Sequence, residues 1–289
     1  MCGLVGCVGK IVAIHETAFK QLLIVDSLRG AHSTGIASVT DKGDMFVVKE
    51  PILPHFLLNI QHAKDIFLKQ NRVLIGHNRF ATKGAINHEN SHPFVFNDIV
   101  GAHNGTINDV NMLLTKKKFE VDSQSLLASI DEFGSNNVDS KINGAFALTW
   151  YDKRDNTMHF WRNYQRPLWM CYTVGKEVLF RASEKEMLEF ILTRNNIKHE
   201  GMFELPVHKE YVYTADGRAD IATSLIVYDR AHYTPPPVTY QGWQGGYRSK
   251  YNNWEEYNNV AERDLATETR YKPIQKETQE MLNMQFYWE

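Results

Sequence analysis

Cysteine is scarce: the 289 residues hold only Cys2, Cys7 and Cys171. An odd, sparse set is no disulfide framework and suits a reducing compartment, so the cytoplasm is the expected location. An excess of charge of either sign is missing as well. Lys and Arg total 32 against 34 Asp and Glu, a formal net charge of −2. That balance removes the electrostatic footprint of a nucleic-acid binder or of a polybasic membrane-surface protein. No apolar run approaches the ~20 residues of a membrane span, and the start, Met1 to Glu16, lacks the basic stretch and long apolar run of a secretory signal. A glycine-rich phosphate loop and internal repeats are also lacking. What remains is 43% hydrophobic and 23% charged, the composition of a globular protein long enough to bury a sizeable core.

Short apolar runs dominate the first 230 or so residues, among them Leu4 to Gly9, Thr34 to Thr40, Arg72 to Phe80, Asp98 to Gly105, Gly144 to Asp152 and Thr157 to Arg162. They are rich in Val, Ile, Phe and Tyr and bounded by Gly, Asn, Asp or Lys, as strands are. Helical spacing interrupts them at His15 to Leu28, Ser123 to Phe133 and Glu184 to Thr193. Strands in groups with helices between predict a layered α+β protein rather than a regular βαβ repeat. The texture changes near Ala231. Pro235, Pro236 and Pro237 enforce an extended path, and Tyr240, Trp243, Tyr247, Tyr251 and Trp254 follow among Gly, Asn and Gln. The expected division is a catalytic domain over 2–231 and a linker and tail over 232–289. The tail's aromatics suit either docking to a partner or a wrap against its own domain.

Cys2 has two readings. One is a small apolar residue opening a first strand. The other begins with removal of Met1, which a small second residue permits. The exposed α-amine, with an ordinary pKa of ~7.7 to 8.0, would then act as base for its own thiol. Companion segments decide what such a nucleophile would work on. Gly76-His77-Asn78-Arg79-Phe80-Ala81-Thr82-Lys83-Gly84 places Arg79 and Thr82 where a strand ends. Arginine offers a planar fork that matches a carboxylate, although it also suits a solvated strand end. Asn104 and Gly105 in Ala102-His103-Asn104-Gly105-Thr106 offer a side-chain amide and a backbone N–H to an oxyanion. Asn-Gly is equally a common turn. Asp122, before a helix, could bind an ammonium or cap the helix.

Taken in order, Cys2-Gly3, Arg29-Gly30-Ala31-His32-Ser33-Thr34-Gly35, the Arg79 segment, Ser91-His92-Pro93, His103-Asn104-Gly105-Thr106-Ile107, Val121-Asp122-Ser123-Gln124 and Gly144-Ala145-Phe146-Ala147-Leu148 form a pattern. Over about residues 2 to 230 the chain resembles the class II glutamine amidotransferase domain, an N-terminal-nucleophile hydrolase. The resemblance implies a four-layer α/β/β/α sandwich, two antiparallel sheets between helical layers. It also implies roles. Cys2 would form a γ-glutamyl thioester with L-glutamine and release ammonia, and Asn104 and Gly105 would hold the oxyanion. Arg79 would pair with the substrate carboxylate, Thr82 would contact the substrate, and Asp122, with Gly105, would hold its ammonium. Arg29, His77 and His103 stand as supporting residues.

Two departures accompany the match. Phe80 and Lys83 stand where many members have Trp and His, and the acidic motif keeps Asp122 but loses a neighbouring acid. His77, His88, His92 and His103 fit no compact zinc spacing, so neither metal nor cofactor is expected. About 59 residues follow residue 230 in the 289-residue chain, too few for a synthase domain, so the ammonia acceptor is expected to be a separate protein. Neither nucleic acid nor membrane is an expected partner, and self-association of the chain is left open. The alternatives are an amidohydrolase of the same fold acting on a γ-glutamyl or other amide, and a non-catalytic binding subunit.

Overall fold

The computed structural model describes residues 1–217 and 220–234. The aromatic-rich tail expected over 232–289 lies outside the described residues except for its first three. In chain order the elements are β1 (Gly3–Gly9), α1 (Ala13–Asp26), β2 (Ser33–Thr40), β3 (Met45–Glu50), α2 (Pro54–Leu57), α3 (Gln61–Ile66), β4 (Asn71–Arg79), β5 (Phe94–Val95), β6 (Ile99–Ile107), α4 (Asp122–Phe133), α5 (Ser135–Val138), β7 (Gly144–Asp152), β8 (Thr157–Arg162), β9 (Trp169–Thr173), β10 (Val178–Ala182), α6 (Lys185–Arg194), β11 (His199–Glu204), β12 (Lys209–Thr214) and β13 (Ile226–Asp229).

The strands form two sheets, ordered β11-β9-β10-β1-β4-β2-β3 and β13-β12-β8-β7-β6-β5. Every neighbouring pair is antiparallel. Their stacking follows from the two-residue period of a strand. In β1, Leu4 and Val8 pack with Val100, Ala147 and Phe160 of the other sheet. Val5 and Cys7 point the opposite way, to Phe19, Leu22 and Leu23 of α1. On the far side Leu126, Leu127 and Ile130 of α4 cover Leu148, Trp150 and Trp161. Helices, sheet, sheet and helices make the four layers that the resemblance implied. Strands buried on both faces read as continuous apolar runs, which is why β1 shows no polar alternation.

The helices follow their apolar spacing. Ala18, Phe19, Leu22 and Leu23 are buried along α1, whose start is closed by His15 Nδ1 accepting the Val12 N–H at 3.3 Å. Gly134, at φ +80°, ends α4, a backbone state that glycine adopts without steric cost.

Two glycines bring the elements of one rim together. A Cβ on Gly3 would sit 1.7 Å from Asp26 Oδ2, so only glycine lets the end of α1 close on the start of β1. A Cβ on Gly105 would meet the Ala145 carbonyl oxygen at 1.9 Å, so β6 and β7 approach closely there. Asp26 is fully buried, accepts from Asn78 Nδ2 at 3.0 Å and has no partner for Oδ1. Burial pushes its carboxyl up to about 6, partly offset by the Asn78 hydrogen bond and by Arg29.

Because the folded pKa of Asp26 lies above the ordinary carboxylate value of ~3.9, its contribution to stability is fully present below that value. It is lost as pH rises through about 6. Asp26→Asn should therefore stabilise the fold by about 2 kcal/mol at pH 8, with the gain vanishing toward pH 4. Thermal unfolding of both proteins across that pH range checks this.

Candidate active site

The site lies at the rim where β1 begins, β4 and β6 end and α4 begins. Antiparallel register opposes Gly3 to Asn78, so Cys2 falls beside Arg79 and Phe80. The Phe80 N–H donates to Cys2 Sγ at 3.3 Å, and Arg29 Nε donates to the Cys2 carbonyl at 3.1 Å. Arg29 is in turn ion-paired with Glu184. Across the gap His77 Nε2 lies 3.2 Å from the His103 carbonyl and ties the two sheets together. A carbonyl only accepts, so Nε2 of His77 carries the proton. The same logic sets His103: Nε2 donates to the Ala145 carbonyl at 3.4 Å, and Nδ1 accepts from the Ser123 hydroxyl at 2.8 Å. Burial holds both imidazoles below their ordinary range, His77 at about 3, so both are neutral supports. His92, also buried and held low, stacks on His77 at 4.0 Å between ring centroids.

Cys2, Arg79, Thr82, Lys83, Gly105 and Asp122 line one cavity, with His92 and His103 in its wall. Asn104 stands beside Gly105 in β6, 1% exposed, and its Nδ2 has no partner. The Asn104-Gly105 pair is therefore not a turn: β6 runs on to Ile107. Nor does Asp122 serve as the N-cap of α4, since the N-cap is Val121. Its Oδ2 instead accepts the Ile107 N–H at 2.6 Å and its Oδ1 the Ser123 N–H at 3.0 Å. His88, by contrast, lies outside this group and faces Glu50 at 3.3 Å.

Burial is the largest influence on the Cys2 thiol and pushes it above its ordinary range, with Asp26 adding to the rise. The Phe80 N–H, the terminal amine and Arg79 oppose it. The Met1 amine, one residue ahead of the amine that excision would expose, is lowered by burial and by Arg29 and Arg166.

The segment 80–86 folds over the cavity. Arg79 donates from Nη1 to the Ala85 carbonyl at 2.8 Å and from Nη2 to the Lys83 carbonyl at 2.5 Å. Lys83 Nζ crosses to the Ile107 carbonyl at 2.8 Å. Glu120, two positions before Asp122, accepts from the Ala85 N–H at 2.6 Å and from Asn90 Nδ2 at 2.8 Å. The cavity is small and partly open, with a volume of about 20 Å³ for water-sized probes. A cluster with metal-ligand potential among the described residues, Asp152, Asp155 and His159, lies instead at the β7–β8 hairpin. Arg154 already binds Asp152, and Glu210 binds His159.

A family model described as a glutamine amidotransferase domain matches residues 55–219, more than half of the chain. The glutamine–fructose-6-phosphate aminotransferase (isomerizing) of Gluconobacter oxydans (strain 621H) is 27% identical over 197 residues, covering 62% of this chain and 31% of its own length. That of Staphylococcus epidermidis (strain ATCC 35984) is 28% identical over 231 residues, covering 72% and 36%. The chain thus spans about a third of the curated relatives it matches. The glutamine phosphoribosylpyrophosphate amidotransferase of B. subtilis, solved with ADP and GMP, superposes with a TM-score of 0.61 at 18% identity, covering 79% of this chain and 49% of that one. The chain belongs to the glutamine amidotransferase domain family, in its class II, N-terminal-nucleophile branch.

Glu120→Ala removes the acceptor that pins Ala85 and Asn90. Limited trypsin digestion should then cleave after Lys83 several-fold faster, with the unfolding temperature nearly unchanged. Equal cleavage rates would mean that Glu120 does not hold the segment.

Proposed function

We propose that this chain hydrolyses L-glutamine to L-glutamate and ammonia through a thioester on Cys2, and that the ammonia passes to a separate acceptor enzyme. One observation carries the reading: the Cys2 thiol, the Arg79 guanidinium, the Asp122 carboxylate and Gly105 border the same small space, in a chain of the glutamine amidotransferase family. A free amino acid needs a cation for its carboxylate and an anion for its ammonium, and Arg79 and Asp122 supply these.

Removal of Met1 exposes the Cys2 amine. That amine takes the thiol proton as sulfur attacks the side-chain carboxamide carbon. The carbonyl electrons move onto oxygen, where Asn104 Nδ2 and the Gly105 N–H receive the charge. The tetrahedral adduct collapses with cleavage of the C–N bond, and the amine's proton leaves with nitrogen as ammonia. Water, deprotonated by the same amine, then attacks the thioester and yields glutamate and the free thiol. Thr82 contacts the substrate, while Arg29, His77 and His103 hold the frame. No cofactor enters these steps.

The acceptor is the finer part of the proposal. The curated relatives are aminotransferases that use glutamine, and the part they share with this chain is of the glutamine amidotransferase family, which supports amide hydrolysis here.

The processed protein should release equal amounts of ammonia and glutamate from glutamine. Cys2→Ala should abolish turnover with the unfolding temperature preserved, and Asn104→Ala should lower kcat roughly 10²- to 10³-fold. Asp122→Asn should act mainly on KM. Retention of Met1 in the intact-protein mass would favour a binding subunit, and faster turnover of other γ-glutamyl amides than of glutamine would favour a different amidohydrolase.

A further inference from the structure

β3 and β5 are the outermost strands at one end of their sheets, and a cavity lies against both. Its volume is about 380 Å³, the size of a small-molecule site. Val47 and Lys49 of β3 line it together with Phe94 and Val95 of β5, Phe96, and Phe119 from the loop before α4. Phe96 and Phe119 meet edge to face, with ring centroids 5.9 Å apart. The lining is thus largely apolar and rich in aromatic rings.

Gly35 explains how Lys49 comes to stand there. A Cβ on Gly35 would lie 1.9 Å from the His92 carbonyl oxygen and 2.7 Å from Lys49 Cβ, so only glycine lets the His92–Pro93 backbone pack on β2 beside Lys49. The ammonium is then held from two sides. It donates to the Ser91 carbonyl at 2.7 Å and lies 4.7 Å from the centre of the Phe94 ring. An ammonium has three N–H donors, and no other described residue accepts from this one.

Among the described residues no carboxylate forms an ion pair with Lys49. Glu89, the acid in the lining, is exposed to water, which screens its charge. Glu50, next to Lys49 in β3, pairs with His88. Burial lowers Lys49 to about 8, with Glu89 opposing the fall, so at neutral pH the cavity holds a cation among apolar side chains.

We propose that this cavity is a binding site for a small aromatic carboxylate, whose ring packs among Phe94, Phe96 and Phe119 and whose carboxylate takes the free donors of Lys49. The carboxylate meets a cation and the ring meets apolar surface. Ser91, which holds Lys49, precedes His92 in the wall of the catalytic cavity, so the two cavities share one stretch of backbone. The inference does not depend on the substrate of Cys2.

The test is a titration of the full chain with 3-phenylpropionate, and with 3-phenylpropan-1-ol as its uncharged counterpart, followed by ligand-detected NMR at neutral pH. The acid should bind roughly tenfold more tightly than the alcohol. Lys49→Met keeps the apolar stem and should erase that preference, whereas Lys49→Arg should keep it. Val95→Glu, a change at an exposed position, adds an opposing charge to the lining and should weaken the acid several-fold while sparing the alcohol. Hexanoate, which carries the charge without the ring, should bind less well than 3-phenylpropionate; equal affinity would overturn the aromatic assignment. Equal binding of acid and alcohol by the parent would overturn the proposal and point to an apolar side chain of a partner protein as the occupant. Absence of saturable binding by the acid would overturn it too. So would a preference that survives in folded Lys49→Met, or insensitivity to Val95→Glu, since either places the acid elsewhere.

Discussion

The register between β1 and β4 is the constraint from which the site follows. With Gly3 opposite Asn78, the chain places Cys2 against the end of β4, where Arg79 and Phe80 stand. A slip of one residue would turn each side chain of β1 to the opposite face. Leu4 and Val8 would leave the inter-sheet core and Val5 and Cys7 would leave α1. Burial on both faces therefore specifies the register far more strongly than backbone hydrogen bonds alone could. The position of the nucleophile is set by hydrophobic packing several residues away from it.

That packing creates an electrostatic cost as well as a position. The same burial that encloses Asp26, His77 and His103 disfavours charge on each of them, and it disfavours a thiolate on Cys2. Uncharged imidazoles can serve as hydrogen-bonding struts at little cost, which suits His77 as the tie between the sheets. A nucleophile must become anionic, so its enclosure demands compensating cations. Arginine is suited to this because it stays protonated where a lysine in the same place would release its proton.

Much of this was legible in the sequence, for reasons that differ by element. β1, β4, β6, β7 and β8 stand out because long apolar runs are needed where both faces are covered. α1 and α4 stand out through the spacing of Phe19, Leu22 and Leu23 and of Leu126, Leu127 and Ile130. β5 has two residues, and β11 is largely exposed between Glu200 and Glu204, so neither carries a periodic signal. Cys2, Arg79, Thr82, Gly105 and Asp122 are found by motif because each motif sits at the end of its own element. Local chemistry misreads two of them: Asn104-Gly105 has turn composition yet lies within β6, and Asp122 has capping composition yet bonds the Ile107 amide. Asp26 leaves no local trace, because only Gly3, far away in the sequence, explains its place.

The hydrogen bonds of the 80–86 segment tie the two expected recognition groups to one another. A strand residue presents its N–H and C=O toward the same side, and at Ile107 these go to Asp122 and to Lys83. The ammonium of Lys83 thus rests on the same residue that orients the carboxylate expected to receive the substrate ammonium. Arg79, expected to receive the substrate carboxylate, is meanwhile oriented by carbonyls of the segment that Lys83 belongs to. Both recognition groups are therefore connected to the 80–86 segment. The hydrogen bonds of Lys83 and Arg79 therefore couple the two groups: a change in the path of the segment would alter the Lys83 contact with Ile107 and the hold on Arg79 together.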